Sequence, residues 1–224
     1  MFFMPWHRAA YVLFSLSLLT LVFAYPLSIM LPATWSYENQ PIENAQVVIL
    51  AISVLGALRF FQIDRDPIRW VGLAAALVLM VMIARELSWG AVFFDPTSLS
   101  EHGPLFSSQA LWYRPVVVPT TAALLICSIA IILIKRLHNL GFALLKPIRL
   151  SILLSILLTV VGMLISGAAE GHVSALPITE WVNDGDIEQL LEETAELGAY
   201  LAMVAGLFFI FSELQKLPAE EQAS

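Results

Sequence analysis

Four short polar stretches interrupt an otherwise apolar chain of 224 residues, and each holds residue types that can bind a metal or move a proton. The first is Glu43, Asn44 and Gln46. Glu43 and Gln46 are three apart, so on a helix they share a face and could form a ligand pair. A solvated first turn, its carboxylate favoured by the helix dipole, is the plainer alternative. The second runs Arg85, Glu86, Leu87, Ser88, Trp89, Gly90. At a helix C-terminus the dipole disfavours Glu86, which therefore needs a partner. Arg85 points elsewhere on a helix, so the partner is expected from another span. Trp89 could contact a substrate or anchor the chain at a membrane interface. The third is Glu170, Gly171 and His172. A histidine beside a carboxylate can bind metal or transfer protons, although a histidine at a helix end can also simply cap the dipole. His102 is a weaker candidate of the same kind. The fourth is LEETAELGAY, residues 191–200. Glu192 and Glu196 are four apart and Glu193 and Glu196 three apart, so their charges repel on an isolated helix. A metal, a bound proton, or Arg85 and Arg114 must compensate. Tyr200 lies one turn beyond Glu196 on the same face.

Two chemistries fit these residues. In one, Glu43, Gln46, Glu86, Glu170, His172, Glu192, Glu193 and Glu196 supply ligands for one or two divalent metal ions, as inward carboxylates and histidines do in helical di-metal proteins. In the other, Glu86, Glu192, Glu196 and His172 form an acid–base set. Arg85 and Arg114 then hold an anionic group such as phosphate, and Trp89 and Tyr200 line the substrate. The Glu-x-x-His signature of the di-metal proteins is missing from all four stretches. So are the H-E-x-x-H, Walker A and G-x-S-x-G patterns.

The elements that must position these residues follow from composition. Hydrophobic residues make up 59% of the chain and charged ones 13%, against about 25% charged in a soluble domain; the mean hydropathy is +0.82. Such an excess must face lipid. A net charge of −7 offers no basic surface for nucleic acid. The one cysteine, Cys127, rules out an internal disulfide or a CxxC site. At roughly 20 residues per spanning helix, the chain is expected to be an all-α polytopic bundle of six spans, near 9–29, 42–61, 70–89, 115–134, 147–169 and 191–214. These form a single transmembrane domain over 1–217, followed by a flexible tail over 218–224. The first run is read as a retained span, because it stays apolar past the point where a signal peptide would be cleaved. The last helix should begin before its apolar run, near Asp184 and Asp186, which are good caps. Strands are not expected, since the runs are continuous rather than alternating. Pro26 and Gly162 are faint signs of broken helices.

Nine of the eleven basic residues fall in alternate loops on one side, and only Arg85 and Arg114 on the other. The positive-inside rule makes the basic side cytoplasmic, with both termini in the cytoplasm of a cell's inner membrane. Thirteen of the eighteen acids fall at the opposite, outer face. All four polar stretches then lie at outer ends of spans.

The segment ARELSWGAVFF, residues 84–94, resembles a segment often reading E-E-x-S-W-G-Q-R-x-F in uncharacterised bacterial multi-span inner-membrane proteins, which also tend to carry an acidic start to a later span, similar to LEETAEL here. Glu86, Ser88, Trp89 and Gly90 match. Arg85 replaces the first glutamate, and Ala91-Val92 replaces the Gln-Arg pair. The resemblance implies a shared site but names no reaction. Three functions stay open: a metal-dependent or acid–base enzyme acting on a lipid or lipophilic molecule, a structural or assembly subunit docking a membrane-protein partner, and an ion or solute transporter. Apolar inner halves of the spans count against the third, because transporters place polar groups near the midplane. The lipid bilayer is the one partner all three share, and the oligomeric state stays open.

Overall fold

A computed structural model describes residues 6–100, 103–137, 150–172 and 184–216. The described residues form seven α-helices: α1 (Trp6–Val22), α2 (Ala24–Met30), α3 (Pro41–Ile63), α4 (Arg69–Glu86), α5 (Arg114–Ile134), α6 (Leu150–Ala169) and α7 (Gly185–Leu214). Four of them, α3, α5, α6 and α7, are long and apolar enough to cross a membrane, and α1 with α2 makes a fifth if the bent pair counts as one span. The chain is thus an all-helical membrane protein. α4 differs in carrying Arg69, Arg85 and Glu86 among its 18 residues. Its charges sit at its two ends and its middle is apolar. The beginning of the expected span 147–169 and the tail 218–224 lie outside the described residues, as do His102 and Lys146.

Two expectations about breaks resolve in opposite ways. α1 and α2 meet at a bend of 63°. Pro26 has no N–H to give the carbonyl of Val22 and its ring crowds that carbonyl, so the helix cannot run through. Gly162, by contrast, breaks nothing. It lies inside continuous α6, and a Cβ there would come within 2.9 Å of both the Ala195 carbonyl oxygen and the Ala199 Cβ. It is the point where α6 passes close against α7.

α7 is the central helix, packed against α1, α2, α3 and α6. Its N-cap is Asp184, whose carboxylate accepts from the Asp186 N–H at 3.1 Å. Small residues let its neighbours approach, as they do between helices in lipid, where packing rather than water expulsion drives association. Ser17 on α1 donates to the Gly198 carbonyl at 2.7 Å. At the far end of α7 the chain closes with rings: Phe60 stacks on Phe211 at 4.1 Å, and Trp6 meets Phe60, Phe208 and Phe211 edge-on. α5 lies at the opposite extreme, with most of its side chains exposed. Its exposed large hydrophobic residues are Val, Leu and Ile, the surface a lipid-facing helix presents.

One small departure lies in the loop between α4 and α5. Ser98–Ser100 and Gly103–Leu105 pair as an antiparallel hairpin. It sits outside every apolar run, so the argument against strands in lipid never reached it.

Candidate functional site

α4 ends on Glu86, and α7 places Glu196 and Tyr200 one turn apart on the face turned toward it. All three side chains are buried: Glu86 is 7% exposed, Glu196 5% and Tyr200 2%. The Tyr200 hydroxyl oxygen lies 2.7 Å from Glu86 Oε1 and 2.8 Å from Glu196 Oε1. Arg85 Nη2 donates to the same Glu196 oxygen at 2.8 Å, while Arg85 Nε stays 3.6 Å from Glu86 Oε1. Glu86 therefore finds its main partner on another helix, and Arg85 also reaches toward it despite being next in sequence.

Counting protons constrains this group. A phenol carries one hydrogen and can donate to only one of the two carboxyl oxygens. The other close contact is a hydrogen bond only if that carboxyl is itself protonated and donates to the phenol. Glu196 Oε1 already accepts from Arg85, the arrangement a carboxylate takes. Glu86 has the longer approach to Arg85 and is the better seat for the proton. The chain then reads Glu86 acid to Tyr200, Tyr200 to Glu196, with Arg85 balancing the remaining charge.

Around this group the other candidates fall into separate pairs. Gln46 on α3 is fully buried and donates through Nε2 to the Glu193 carbonyl at 3.2 Å and to Glu193 Oε2 at 3.0 Å. Gln46 Oε1 and Thr194 Oγ1 are buried without a hydrogen-bond partner among the described residues. Glu43 accepts from the Asn39 N–H and so closes the first turn of α3. Glu192 faces Glu170 within hydrogen-bonding reach. Glu170 and His172 pair at 3.0 Å at the exposed end of α6, where His172 is 77% exposed. Arg114 opens α5 with an exposed side chain and joins none of these hydrogen bonds or ion pairs among the described residues.

The metal expectation is not met by this arrangement. Among the described residues no three His, Cys, Asp or Glu side chains are placed to hold an ion. Most of the candidate ligands already face a protein partner: Tyr200 and Arg85 for Glu86 and Glu196, Gln46 for Glu193, the Asn39 amide for Glu43, and His172 for Glu170. Among the described residues Arg85 is the cation that faces the Glu86 and Glu196 carboxyls, and Arg114 joins neither.

Two features escaped the sequence reading. The expected third span continued to Trp89, but the helix stops at Glu86 and the chain reverses through Ser88, Trp89 and Gly90, with φ of 43°, 57° and 93°. The first two are non-glycine residues in the left-handed region, which costs on the order of 1–3 kcal/mol each and gathers at functional sites. Tyr113 holds the reversal by donating to the Trp89 carbonyl at 2.9 Å. A Cβ on Gly90 would lie 2.8 Å from that same hydroxyl. Trp89 is half-buried, and its backbone carbonyl is taken by Tyr113. The second feature is Glu38, which accepts from the Phe106 N–H and ties the start of α3 to the α4–α5 loop. Partial burial pushes its carboxyl above the usual carboxylate range. The only sequence signals were an isolated tyrosine and an isolated glutamate in loops, neither with a spacing to argue from.

Compared with known protein families, with curated proteins and with solved structures, the chain finds no match in any of the three.

Proposed function

We propose that this chain is a six-span inner-membrane protein, both termini cytoplasmic, that carries out acid–base chemistry on a lipid or lipophilic molecule at its outer face. α4 counts as the sixth span, since its apolar middle is flanked by charges that reach the two interfaces. Arg59, Arg65 and Arg69 at one end of the bundle, against the carboxylates at the other, support this orientation by the positive-inside rule.

The observation that carries the reading is the single Tyr200 hydroxyl held 2.7 and 2.8 Å from two buried carboxyl oxygens. In the roles this suggests, Glu86 is the general acid, Glu196 the base and Tyr200 the relay that returns a proton from one to the other. Arg85 keeps Glu196 ionised and offers its remaining donors to the substrate. Positioned acids and bases of this kind contribute about 10²–10⁴-fold to a rate. His172, Glu170 and Arg114 take no part in this scheme.

The test is a comparison of lipid extracts by mass spectrometry from cells making the wild type, Glu86→Gln, or no protein. A species that rises or falls with the wild type alone supports the reading. Identical extracts from wild type and Glu86→Gln, with both proteins folded and present in equal amounts, overturn it.

Proton-coupled transport is a second reading, favoured by the 63° break in the first span, because transporters build their sites at discontinuous helices. Proton flux in proteoliposomes that is lost in Tyr200→Phe, with lipid extracts unchanged, would move the assignment there.

A further inference from the structure

Directly beyond the Glu86 end, α4, α5 and α7 line a half-open cavity of about 440 Å³. Its walls include Ala75, Val78 and Met82 on α4, Ile132 on α5, and Met203 and Leu207 on α7. The one polar lining side chain is Ser128, and its hydroxyl already donates to the Ala74 carbonyl at 3.0 Å. Nothing in the wall asks for a hydrogen bond, so its natural occupant is hydrocarbon.

We propose that this cavity holds the single alkyl chain of an amphiphile whose hydrogen-bond-accepting head, a carboxylate, ester or phosphate oxygen, lies against Arg85. This rests on the acid–base reading, and it names the class of substrate that reading requires. Three observations point to this occupant. The first is continuity. Met82 is one turn from both Arg85 and Glu86, and Met203 is one turn from Tyr200, so the cavity begins where the polar group ends. The second is shape. The lining on α7 runs from Met203 to Leu214, roughly 16 Å at 1.5 Å per residue, a length that suits an extended alkyl chain. The volume is at the lower end of the range for small-molecule sites. Two flexible methionines at the polar end suit chains that differ in detail. The third is charge. Arg85 has five N–H donors, gives one to Glu196, and is otherwise 61% exposed at the rim. It is the one cation in the group, so an acceptor-bearing head docks there and is turned toward Glu86.

The experiment uses the full chain in bilayer nanodiscs with two probes: palmitate carrying a diazirine on its chain, and a two-chain phosphatidylcholine carrying the same diazirine. After illumination the labelled residues are mapped by peptide mass spectrometry. Palmitate is expected to label residues 71–82 and 203–214. Ala75→Phe, which fills the cavity, should cut that labelling about tenfold, a loss of about 1.4 kcal/mol in binding. Val48→Phe, on an exposed face of α3, should leave it unchanged. The two-chain lipid should label exposed faces of α1, α5 and α6 and ignore Ala75→Phe. Val78→Trp at the exposed rim replaces Ala75→Phe if that variant does not fold. Palmitate label spread over the lipid-facing helices, or label at 71–82 undiminished by either filling variant, overturns the proposal. Equal labelling of the cavity by the two-chain lipid overturns its single-chain part. The two readings fail separately: cavity labelling with lipid extracts indifferent to Glu86→Gln removes the acid–base reading alone, and extracts that respond to Glu86→Gln without cavity labelling remove the cavity alone.

Discussion

α7 is buried along most of its length, yet its two ends are held in unlike ways. Toward Phe211 it is fixed by rings: Phe60, Phe208, Phe211 and Trp6 pack together. Toward Glu196 it is fixed by the Tyr200 hydroxyl set between the Glu86 and Glu196 carboxyls, with an arginine beside it and a buried Gln46 oxygen unpartnered among the described residues. The ring end has one arrangement, set by shape. The carboxylate end has at least two, differing only in where a proton sits. That difference assigns stability to one end and chemistry to the other, and it can be broken by moving stability and activity separately.

The largest effect is expected at the ring end. Phe211→Ala removes a fully buried ring and leaves a void, at a cost of about 3–5 kcal/mol. Thermal unfolding in detergent should show a large loss of stability, with the lipid profile of cells unchanged per folded molecule. A changed lipid profile at equal folded amount would mean the two ends are not independent.

Next is Tyr200→Phe, which keeps the ring and deletes the hydroxyl. Two buried carboxyl oxygens lose their common partner, a cost of about 1–3 kcal/mol. The comparison predicts a smaller fall in stability than Phe211→Ala and a complete loss of the lipid change. Activity surviving in Tyr200→Phe would remove the relay.

Much of this division was legible in the sequence, and what was not has a physical reason. The misfit of Glu86 at a helix end pointed to a partner on another span, because the dipole argument is local and needs no knowledge of packing. The Asp184 cap and the break caused by Pro26 were legible for the same reason. The identity of the partner was not, since Tyr200 is one of several aromatic residues on apolar helices and only the crossing of α4 and α7 selects it. The spread of the expected metal ligands into separate pairs among the described residues was not legible either. Residue types at similar depth do not say which way each side chain turns, and Gln46 turns to Glu193 instead of toward a common centre. Gly162 was misread because a glycine in a span signals a break or a close approach equally well. The reversal at Ser88 and Trp89 runs against residue preference, so no propensity argument could reach it.

The position of the proton is tested by a smaller contrast. If Glu86 carries it, Glu86→Gln is close to an isostere, because the amide can donate to Tyr200 as the acid does. Stability should then change by less than about 0.5 kcal/mol while activity is lost. Glu196→Gln instead removes a charge that accepts from both Arg85 and Tyr200, and should cost about 1 kcal/mol, moderated by the exposure of Arg85. One infrared band of a protonated carboxylic acid, present in the wild type and in Glu196→Gln, should be lost in Glu86→Gln. The reverse pattern would place the proton on Glu196 and exchange the acid and base roles.

The smallest effect lies at Glu38, just outside α3, and it separates the carboxylate end from its rim. Burial raises this carboxyl above its ordinary value of 4.5, so the folded state binds its proton more tightly than the unfolded state does. Where the folded state holds more protons, stability falls as pH rises. The contribution of Glu38 is therefore most favourable below pH 4.5 and declines as pH climbs through the raised folded value, with no further change above it. Glu38→Gln should flatten that part of the stability curve while keeping a side-chain oxygen to accept from Phe106. It should also leave the lipid profile at neutral pH as it is, because Glu38 anchors the α4–α5 loop and does not belong to the proton chain of Glu86, Tyr200 and Glu196. A lipid profile that tracks Glu38→Gln would extend the chemistry from α7 into the α4–α5 loop.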